Sequence, residues 1–230
     1  MSIATRYLRL RTEIDESCRA CGRAPEEVLL LAVSKTVGVP EVREAIAAGA
    51  HAFGENRPDL LAVKQAELPQ EAWHFIGNVQ SRKIPEIVAH AALIHSLYEP
   101  QHIARVNVAA EALGKVQRIL LEVNVSGEES KSGLAPDAVE EMLHYCESFS
   151  HVKICGLMTM APQGDLVAAS ACFEGLAALR DKLMIDVCPG ISNADLHELS
   201  MGMSEDWQCA LPLGATMVRI GRAVFDDAFE

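Results

Sequence analysis

Residues 28–35 read VLLLAVSK, a short apolar run that ends in a lysine. Seven more short apolar runs follow it, and stretches with helical spacing lie between most of them. Short, continuously apolar strands are buried on both faces, which is typical of a parallel sheet flanked by helices. Eight of them predict an α/β fold, a single-domain (β/α)8 barrel of the TIM type. The eight runs span residues 28–33, 50–53, 73–76, 93–97, 119–125, 154–160, 199–201 and 217–220.

An open, doubly wound sheet is the alternative architecture, but it would show about five or six strands and often a glycine-rich first turn. The chain has no G-x-G-x-x-G motif. No linker, repeat or low-complexity tract divides it, so residues 1–230 are expected to form one domain. A helix of about residues 3–22 is expected before the first strand. Further helices are predicted over residues 40–48, 136–149, 166–183 and 205–213, and a loop with a helix cap over residues 192–195.

Composition restricts the class of protein. With 20 basic and 32 acidic side chains the net charge is −12, which argues against a nucleic-acid partner or an anionic membrane surface. No run of about 18 apolar residues is present, and the N-terminus lacks the apolar stretch of a signal peptide, so a cytoplasmic protein is expected. The seven cysteines are an odd, scattered set typical of reduced thiols, and the histidines lack metal-ligand spacing, so no metal is expected.

Polar residues follow several of the predicted strands, and in such barrels the chemistry occurs at the carboxyl ends of the strands. Lys35 ends the first run, where partial desolvation of its amine would favour the neutral, nucleophilic form that a Schiff base requires. The alternative is a lysine that extends its ammonium group to water. Glu55 and Asn56 end the second run, either as acid/base and hydrogen-bonding groups or as an ordinary turn. His74 is expected to be a core histidine satisfied by a backbone group.

The last two runs are each associated with small residues. The turn SMGMS, residues 200–204, follows the seventh run, and RIG, residues 219–221, ends the eighth. Barrels commonly bind a phosphate at these positions through backbone N–H groups, although an N-cap role of Ser204 is a sufficient structural explanation for that serine. Arg219 lies between Val218 and Ile220, so it is expected to point into the barrel and to need a carboxylate or a ligand acceptor.

Together these segments resemble the pyridoxal 5′-phosphate (PLP) homeostasis proteins, the YggS/PROSC-type PLP-binding family. The resemblance extends in collinear order from residue 32 to residue 221. It implies a barrel similar to the N-terminal domain of alanine racemase and an intracellular role in vitamin B6 homeostasis. The matching stretches are AVSKT (32–36), FGEN (53–56), WHFIG (73–77) with QSRK (80–83), EVNVSGEESKSG (122–133), GLM (156–158), LSMGMSEDW (199–207) and VRIG (218–221).

The resemblance also implies roles for individual residues. Lys35 would carry PLP as a Schiff base, Arg219 would face the pyridine nitrogen, and Asn56 would lie near the ring substituents. The phosphate would be held around the SMGMS turn and by the backbone after RIG. Arg222 stands where a threonine is common in the family, which leaves open whether its side chain contacts the phosphate. The implied cofactor-binding residues are Lys35, Asn56, Ser200, Met201, Ser204, Arg219, Gly221 and Arg222.

Two features favour a carrier over an enzyme. An arginine against the pyridine nitrogen leaves that nitrogen unprotonated and makes the ring a poorer electron sink. Alanine racemases take an opposing tyrosine from a further domain, whereas this chain ends nine residues after Gly221 and only Tyr98 ends a strand. The prediction is a non-catalytic PLP-binding protein that buffers or delivers the cofactor, with PLP-dependent apoenzymes as candidate recipients. A small PLP-dependent amino-acid racemase and a barrel enzyme acting on a phosphorylated metabolite stay open, and a monomer is expected.

Overall fold

The computed structural model describes residues 1–229, and its eight strands all run parallel and close into one barrel. Each strand pairs with the next along the chain, and the last pairs with the first through four residue pairs. The predicted (β/α)8 barrel is therefore confirmed. The strands are β1 Leu29–Val33, β2 Ala52–Glu55, β3 Ala72–Phe75, β4 Leu93–Leu97, β5 Gln117–Glu122, β6 Val152–Met158, β7 Ala194–Ser200 and β8 Met217–Ile220.

Helices alternate with the strands. Four of them carry a proline in the first turn, where a residue without an N–H group is tolerated. The seventh helix is capped by Asp165, whose carboxylate accepts the N–H groups of Val167 and Ala168 at 3.0 Å each. The helices are α1 Ile3–Ala20, α2 Val39–Ala47, α3 Pro58–Glu67, α4 Ile84–His90, α5 Pro100–Ala112, α6 Val139–Cys146, α7 Leu166–Asp186, α8 Trp207–Ala210 and α9 Arg222–Phe225.

The barrel wall has two buried faces of different character. The outer face joins the main hydrophobic core against the helices, where Phe53 stacks on Trp73 with ring centroids 5.3 Å apart. The inner face carries a smaller apolar cluster, which leaves room for polar side chains within the barrel. This inner cluster consists of Leu93, Leu120, Cys155, Met158 and Met217.

The seventh strand differs most from its prediction. It spans Ala194–Ser200, whereas the apolar run covers only residues 199–201. Ala194 and Asp195 therefore belong to a strand, and the loop and helix cap expected there are wrong. The cause is the alternation of buried and partly exposed residues, with His197 exposed in the middle, because a search for continuous apolar runs detects only the end of such a strand.

Among residues 1–229, no helix combines the length and the apolar content that a membrane crossing requires. All seven cysteines are free thiols, and four of them are buried. Over the same residues no group of three histidine, cysteine or acidic side chains is arranged to hold a metal ion.

Candidate functional site

A cavity of about 940 Å³ opens at the carboxyl ends of the strands. Its walls come from the ends of β1, β6 and β8 and from the segments that follow β1, β2, β3, β6, β7 and β8, and its size suits a small-molecule site. Two of the predicted cofactor-binding residues, Ser200 and Met201, do not line it. The other six do, namely Lys35, Asn56, Ser204, Arg219, Gly221 and Arg222.

Lys35 lies two residues past the end of β1 and has an exposed side chain. The expectation of a partly desolvated amine is therefore wrong, because Ser34 occupies the last buried position of this segment. Among the lining residues of the described chain, Lys35 is the one lysine. Its primary amine is thus the one side-chain amine that the cavity wall offers to an electrophilic ligand.

Asn56 follows β2 at a point where two backbone segments nearly touch. A Cβ atom added at Gly77 would lie 2.1 Å from the carbonyl oxygen of Asn56, far inside contact distance. Only glycine allows the segment after β3 to approach the end of β2 this closely. The absence of a side chain at residue 77 therefore sets the position of Asn56 on the cavity wall.

Arg219 is buried in the barrel and contributes to the cavity wall. Its Nη1 donates to the carbonyl oxygen and the Oγ of Ser200 at 2.7 and 2.8 Å, and its Nη2 donates to the carbonyl oxygen of Thr159 at 2.9 Å. Burial lowers the pKa of Arg219 to about 10, against the opposing charges of Asp206 and Glu122. The guanidinium therefore stays positive at neutral pH, and the inward orientation agrees with the sequence-based expectation.

Behind Arg219, three side chains form a hydrogen-bonded chain through the barrel. Ser200 Oγ lies 2.9 Å from His95 Nδ1, and His95 Nε2 lies 3.0 Å from His74 Nδ1. Burial lowers the pKa of His74 to about 4 and holds the pKa of His95 well below its usual value, and nearby arginine charge adds to both shifts. Both imidazoles are therefore neutral at neutral pH. His74 is a core histidine as predicted, but its partner is His95 rather than a backbone group.

Ser200 and Met201 have structural roles that the sequence did not predict. Both are fully buried, and the Ser200 hydroxyl is shared between His95 and Arg219. The N–H group of Met201 donates to the carbonyl oxygen of Met217 at 3.1 Å, as part of the barrel wall. The structure does not place these two residues where they would contact a phosphate. The chain turns away from the barrel wall toward the cavity only after Met201.

The segments that follow β7 and β8 offer unpaired backbone hydrogen-bond donors. Within the described residues, the N–H groups of Ser204 and Glu205 after β7, and of Gly221 and Arg222 after β8, make no hydrogen bond. All four residues line the cavity. Unpaired N–H groups on consecutive residues are suited to an anionic group such as a phosphate.

The turn after β7 is capped by Asp206 rather than by Ser204. Helix α8 begins at Trp207, two residues later than predicted, and the Asp206 carboxylate accepts the N–H group of Met203 at 2.5 Å. The expected N-cap at Ser204 is therefore wrong. Its hydroxyl takes part in no hydrogen bond among residues 1–229, and Ser204 lies on the cavity wall.

Arg222 spans the rim of the cavity. Its Nη2 donates to Glu205 Oε1 at 2.8 Å, and its guanidinium lies 5.0 Å from the centroid of the Phe229 ring. The Arg222 and Glu205 side chains are 50% and 39% exposed, so the ion pair is weak and open to exchange. A positive side chain is thus held beside the unpaired N–H groups without a buried partner.

Sequence reasoning missed a buried ion pair directly behind Lys35 and Asn56. Lys64 of α3 donates from Nζ to the carbonyl oxygen of Ser34 at 2.8 Å, to Ser34 Oγ at 3.3 Å and to the Glu55 carboxylate. Ser34 Oγ donates in turn to Glu55 Oε1 at 2.9 Å. Glu55 is fully buried and does not line the cavity, so the acid/base role considered for it is not supported. A carboxylate at the end of an apolar run needs a cation nearby. That requirement was the one signal in the sequence that could have indicated the ion pair.

Comparison with known proteins agrees with this geometry. A family profile described as the N-terminal domain of alanine racemase matches residues 13–228. A curated relative from Pseudomonas aeruginosa, named pyridoxal phosphate homeostasis protein, is 40% identical over 227 residues, which cover 97% of this chain and 95% of the relative. The chain belongs to the pyridoxal phosphate homeostasis protein family.

Solved structures extend the family assignment to the fold. PipY of Synechococcus elongatus PCC7942, a structure with PLP bound, is 34% identical and superposes with a TM-score of 0.84, covering 97% of this chain and all of PipY. Alanine racemase from Streptomyces lavendulae superposes with a TM-score of 0.73 at 18% identity, covering 96% of this chain and 55% of the racemase. The racemase shares the barrel fold with this member of the homeostasis family.

The cavity of this family member is chemically suited to PLP. PLP combines an aldehyde, a pyridine nitrogen that accepts a hydrogen bond, and a phosphate. The cavity combines one primary amine at Lys35, a positive guanidinium at Arg219, and unpaired N–H groups beside Arg222. Each of these three groups of the cofactor therefore has a complementary group among the lining residues.

Proposed function

We propose that this chain is a one-domain PLP carrier, which binds the cofactor in the carboxyl-end cavity and buffers or delivers it without using it for catalysis. The observation that carries the proposal is the exposed Lys35, the one lysine on the wall of a cavity that also holds Arg219 and unpaired N–H groups. The names of the relatives and the PLP-bound PipY structure support this choice of ligand.

The proposed binding uses three groups of the chain. When bound, PLP supplies an aldehyde that condenses with the Nζ amine of Lys35, with loss of one water, to give a Schiff base. Arg219 donates a hydrogen bond to the pyridine nitrogen and keeps its own proton, because its pKa of about 10 lies far above that of a pyridine. Ser204, Gly221 and Arg222 bind the phosphate through their N–H groups, and the Arg222 side chain adds positive charge.

Two observations support a carrier rather than a racemase. No tyrosine is among the lining residues of the described chain, and Tyr98, the one expected near the mouth, lies outside the lining. Lys35 is exposed, so water reaches the place where the substrate carbon would react. Proton abstraction from carbon profits from a site that excludes water, whereas loading and release of a cofactor need an open one.

The test of the proposal is an absorbance spectrum of the protein with PLP, recorded before and after borohydride. We expect a violet-absorbing band in the wild type and in Lys83→Ala, a variant of a surface lysine paired with Glu86. Lys35→Ala should lose that band, and peptide mapping of the reduced wild type should locate the cofactor on Lys35. No band in the wild type with excess PLP would instead favour a barrel enzyme acting on a phosphorylated metabolite.

A second measurement separates the carrier from the racemase. The PLP-loaded protein is incubated with an amino acid in deuterium oxide, and exchange of the α-proton is followed by nuclear magnetic resonance. A carrier leaves the α-proton in place, whereas a racemase exchanges it. The proposal also includes a monomer, which light scattering would test, and PLP-dependent apoenzymes as recipients, which transfer of PLP to an apoenzyme would test. It includes a cytoplasmic location as well, which fractionation of cells would test.

A further inference from the structure

Ser34, Glu55 and Lys64 form a buried unit, the Ser34–Glu55–Lys64 network, that does not line the cavity. The Lys64 ammonium has three N–H bonds and three acceptors, namely two oxygens of Ser34 and the Glu55 carboxylate. The Lys64 and Glu55 side chains are 3% and 0% exposed, so water does not compete for these bonds. A fully bonded, dry ion pair of this kind is fixed in one arrangement.

The network acts on the cavity through the backbone. The carbonyl oxygen of Ser34, which accepts from Lys64, belongs to the same peptide group as the nitrogen of Lys35. On the neighbouring strand end, Glu55 Oε2 accepts the N–H group of Asn56 at 3.3 Å. Helix α3 is therefore tied to the ends of β1 and β2 at the residues that directly precede two cavity residues.

Stability alone does not account for this ion pair. Burial of two charges carries a desolvation cost that their attraction repays only in part, and apolar side chains of similar volume are often as stable. Position is what an apolar replacement cannot reproduce, because it makes no hydrogen bond to the peptide groups of Lys35 and Asn56.

We propose that Lys64 and Glu55 are positioning residues of the PLP site. They fix the peptide groups of Lys35 and Asn56, so that the Lys35 amine meets the aldehyde of PLP in one orientation. This inference rests on the proposed function, because it assigns the network a role only if Lys35 binds PLP. Neither Lys64 nor Glu55 is among the residues that line the cavity, so each acts through the backbone.

The test replaces the charges in pairs. Lys64→Met/Glu55→Met removes both charges and the acceptor of the Asn56 N–H group at nearly constant volume, and its melting temperature should lie within about 4 °C of the wild type. Its dissociation constant for PLP should rise at least about tenfold, since a small misplacement of a reacting group has effects of that size. The induced circular dichroism of the bound PLP band should weaken, because the ring is held in more than one orientation.

A matched control and a second variant keep the test decisive. Lys153→Met removes a partly exposed ion pair with Asp195 in β6 and β7, and should change neither affinity nor dichroism. Ser34→Ala keeps the ion pair but removes the hydroxyl between its charges, and a weaker version of the same affinity loss is expected even if the double variant fails to fold.

The test distinguishes failure of the positioning role from failure of PLP binding. Wild-type affinity and dichroism in the folded double variant, or in Ser34→Ala, would overturn the positioning role and leave PLP binding intact. Failure of the wild type to bind PLP would overturn the proposed function itself. Hydrogen exchange of the ligand-free protein adds an independent readout, since the Asn56 amide should exchange faster in the double variant only if Glu55 holds it.

Discussion

The barrel wall separates two buried polar networks that differ in charge. On the outer side, the Ser34–Glu55–Lys64 network pairs one positive with one negative group. On the inner side, His74, His95 and Ser200, here the interior chain, link β3, β4 and β7 without a formal charge and end on Arg219. Because β4 and β7 are not neighbours in the closed sheet, the bond between His95 and Ser200 crosses the barrel interior.

The two networks have different tasks around the binding site: one positions the backbone, and the other supports the charge of Arg219. A network that neutralises itself exerts no net charge on a ligand and influences only the geometry of the backbone. A neutral chain of hydrogen bonds instead supports Arg219 without a carboxylate in contact, so its positive charge is left for an acceptor in the cavity. If the two networks differ in this way, three perturbations should destabilise the protein to different degrees.

Removing only one charge of the Ser34–Glu55–Lys64 network should have the largest effect on stability. Lys64→Met leaves the Glu55 carboxylate buried without a cation, which we expect to lower the free energy of unfolding by about 3–5 kcal/mol. Urea denaturation measures the change. The control Lys153→Met should cost less than about 1 kcal/mol, because its ion pair is partly exposed. Equal losses in the two variants would contradict the importance of burial.

Acid should act on the interior chain. The pKa of His74 is about 4 in the folded state against a usual 6.5, so between these values only the unfolded state binds the proton. The contribution of His74 to stability is complete above about pH 6.5 and should fall by about 1.4 kcal/mol per pH unit as the pH drops, a loss of about 3 kcal/mol near pH 4, and His95 adds to it in the same direction. Glu122, whose pKa burial raises, opposes part of this loss.

The acid prediction is measured from urea midpoints between pH 7 and pH 4. His74→Gln removes one of the two histidines whose pKa is lowered by burial. The stability of this variant should therefore decline less steeply with falling pH than that of the wild type. A variant that declines as steeply as the wild type would show that other groups are responsible for the acid sensitivity.

A neutral deletion in the interior chain should have the smallest effect of the three. Ser200→Ala leaves His95 Nδ1 and one N–H bond of Arg219 without a partner, at a cost of about 1–3 kcal/mol. Ser126→Ala, in a loop where Ser126 donates to Asn124 at 3.0 Å, should cost less than about 0.5 kcal/mol. If thermal unfolding shows Ser200→Ala to be as damaging as Lys64→Met, charge is not what distinguishes the two networks.

Strands were easier to predict from this sequence than helices. The runs at residues 93–97 and 217–220 coincide with β4 and β8, because both faces of a barrel strand are buried and six of these nine residues are apolar. Helix α3 was not predicted, since it buries only Leu61 and Lys64 and leaves no clear apolar stripe in the sequence. The sequence pattern thus reports burial, and it fails where an element buries little or buries a charge.

The site was predictable as far as strand ends determine it. Lys35, Asn56 and Arg219 stand at or just beyond the carboxyl ends of strands, so the barrel rule alone brings them to one cavity. Whether Ser200 lines the cavity depends on the residue at which the chain leaves the wall, which no local pattern shows. Lys64 meets Glu55 only through the orientation of α3 against the barrel, a tertiary relation that spacing does not encode.

The contact between Gly77 and the carbonyl oxygen of Asn56 has a genetic consequence. Every amino-acid replacement of a glycine adds a Cβ atom, and at this position that atom would lie 2.1 Å from a backbone oxygen. Each missense change in the codon for residue 77 therefore displaces the same asparagine, whatever the chemistry of the new side chain. In a library of all single amino-acid replacements selected for function, residue 77 should be among the positions at which no replacement is tolerated.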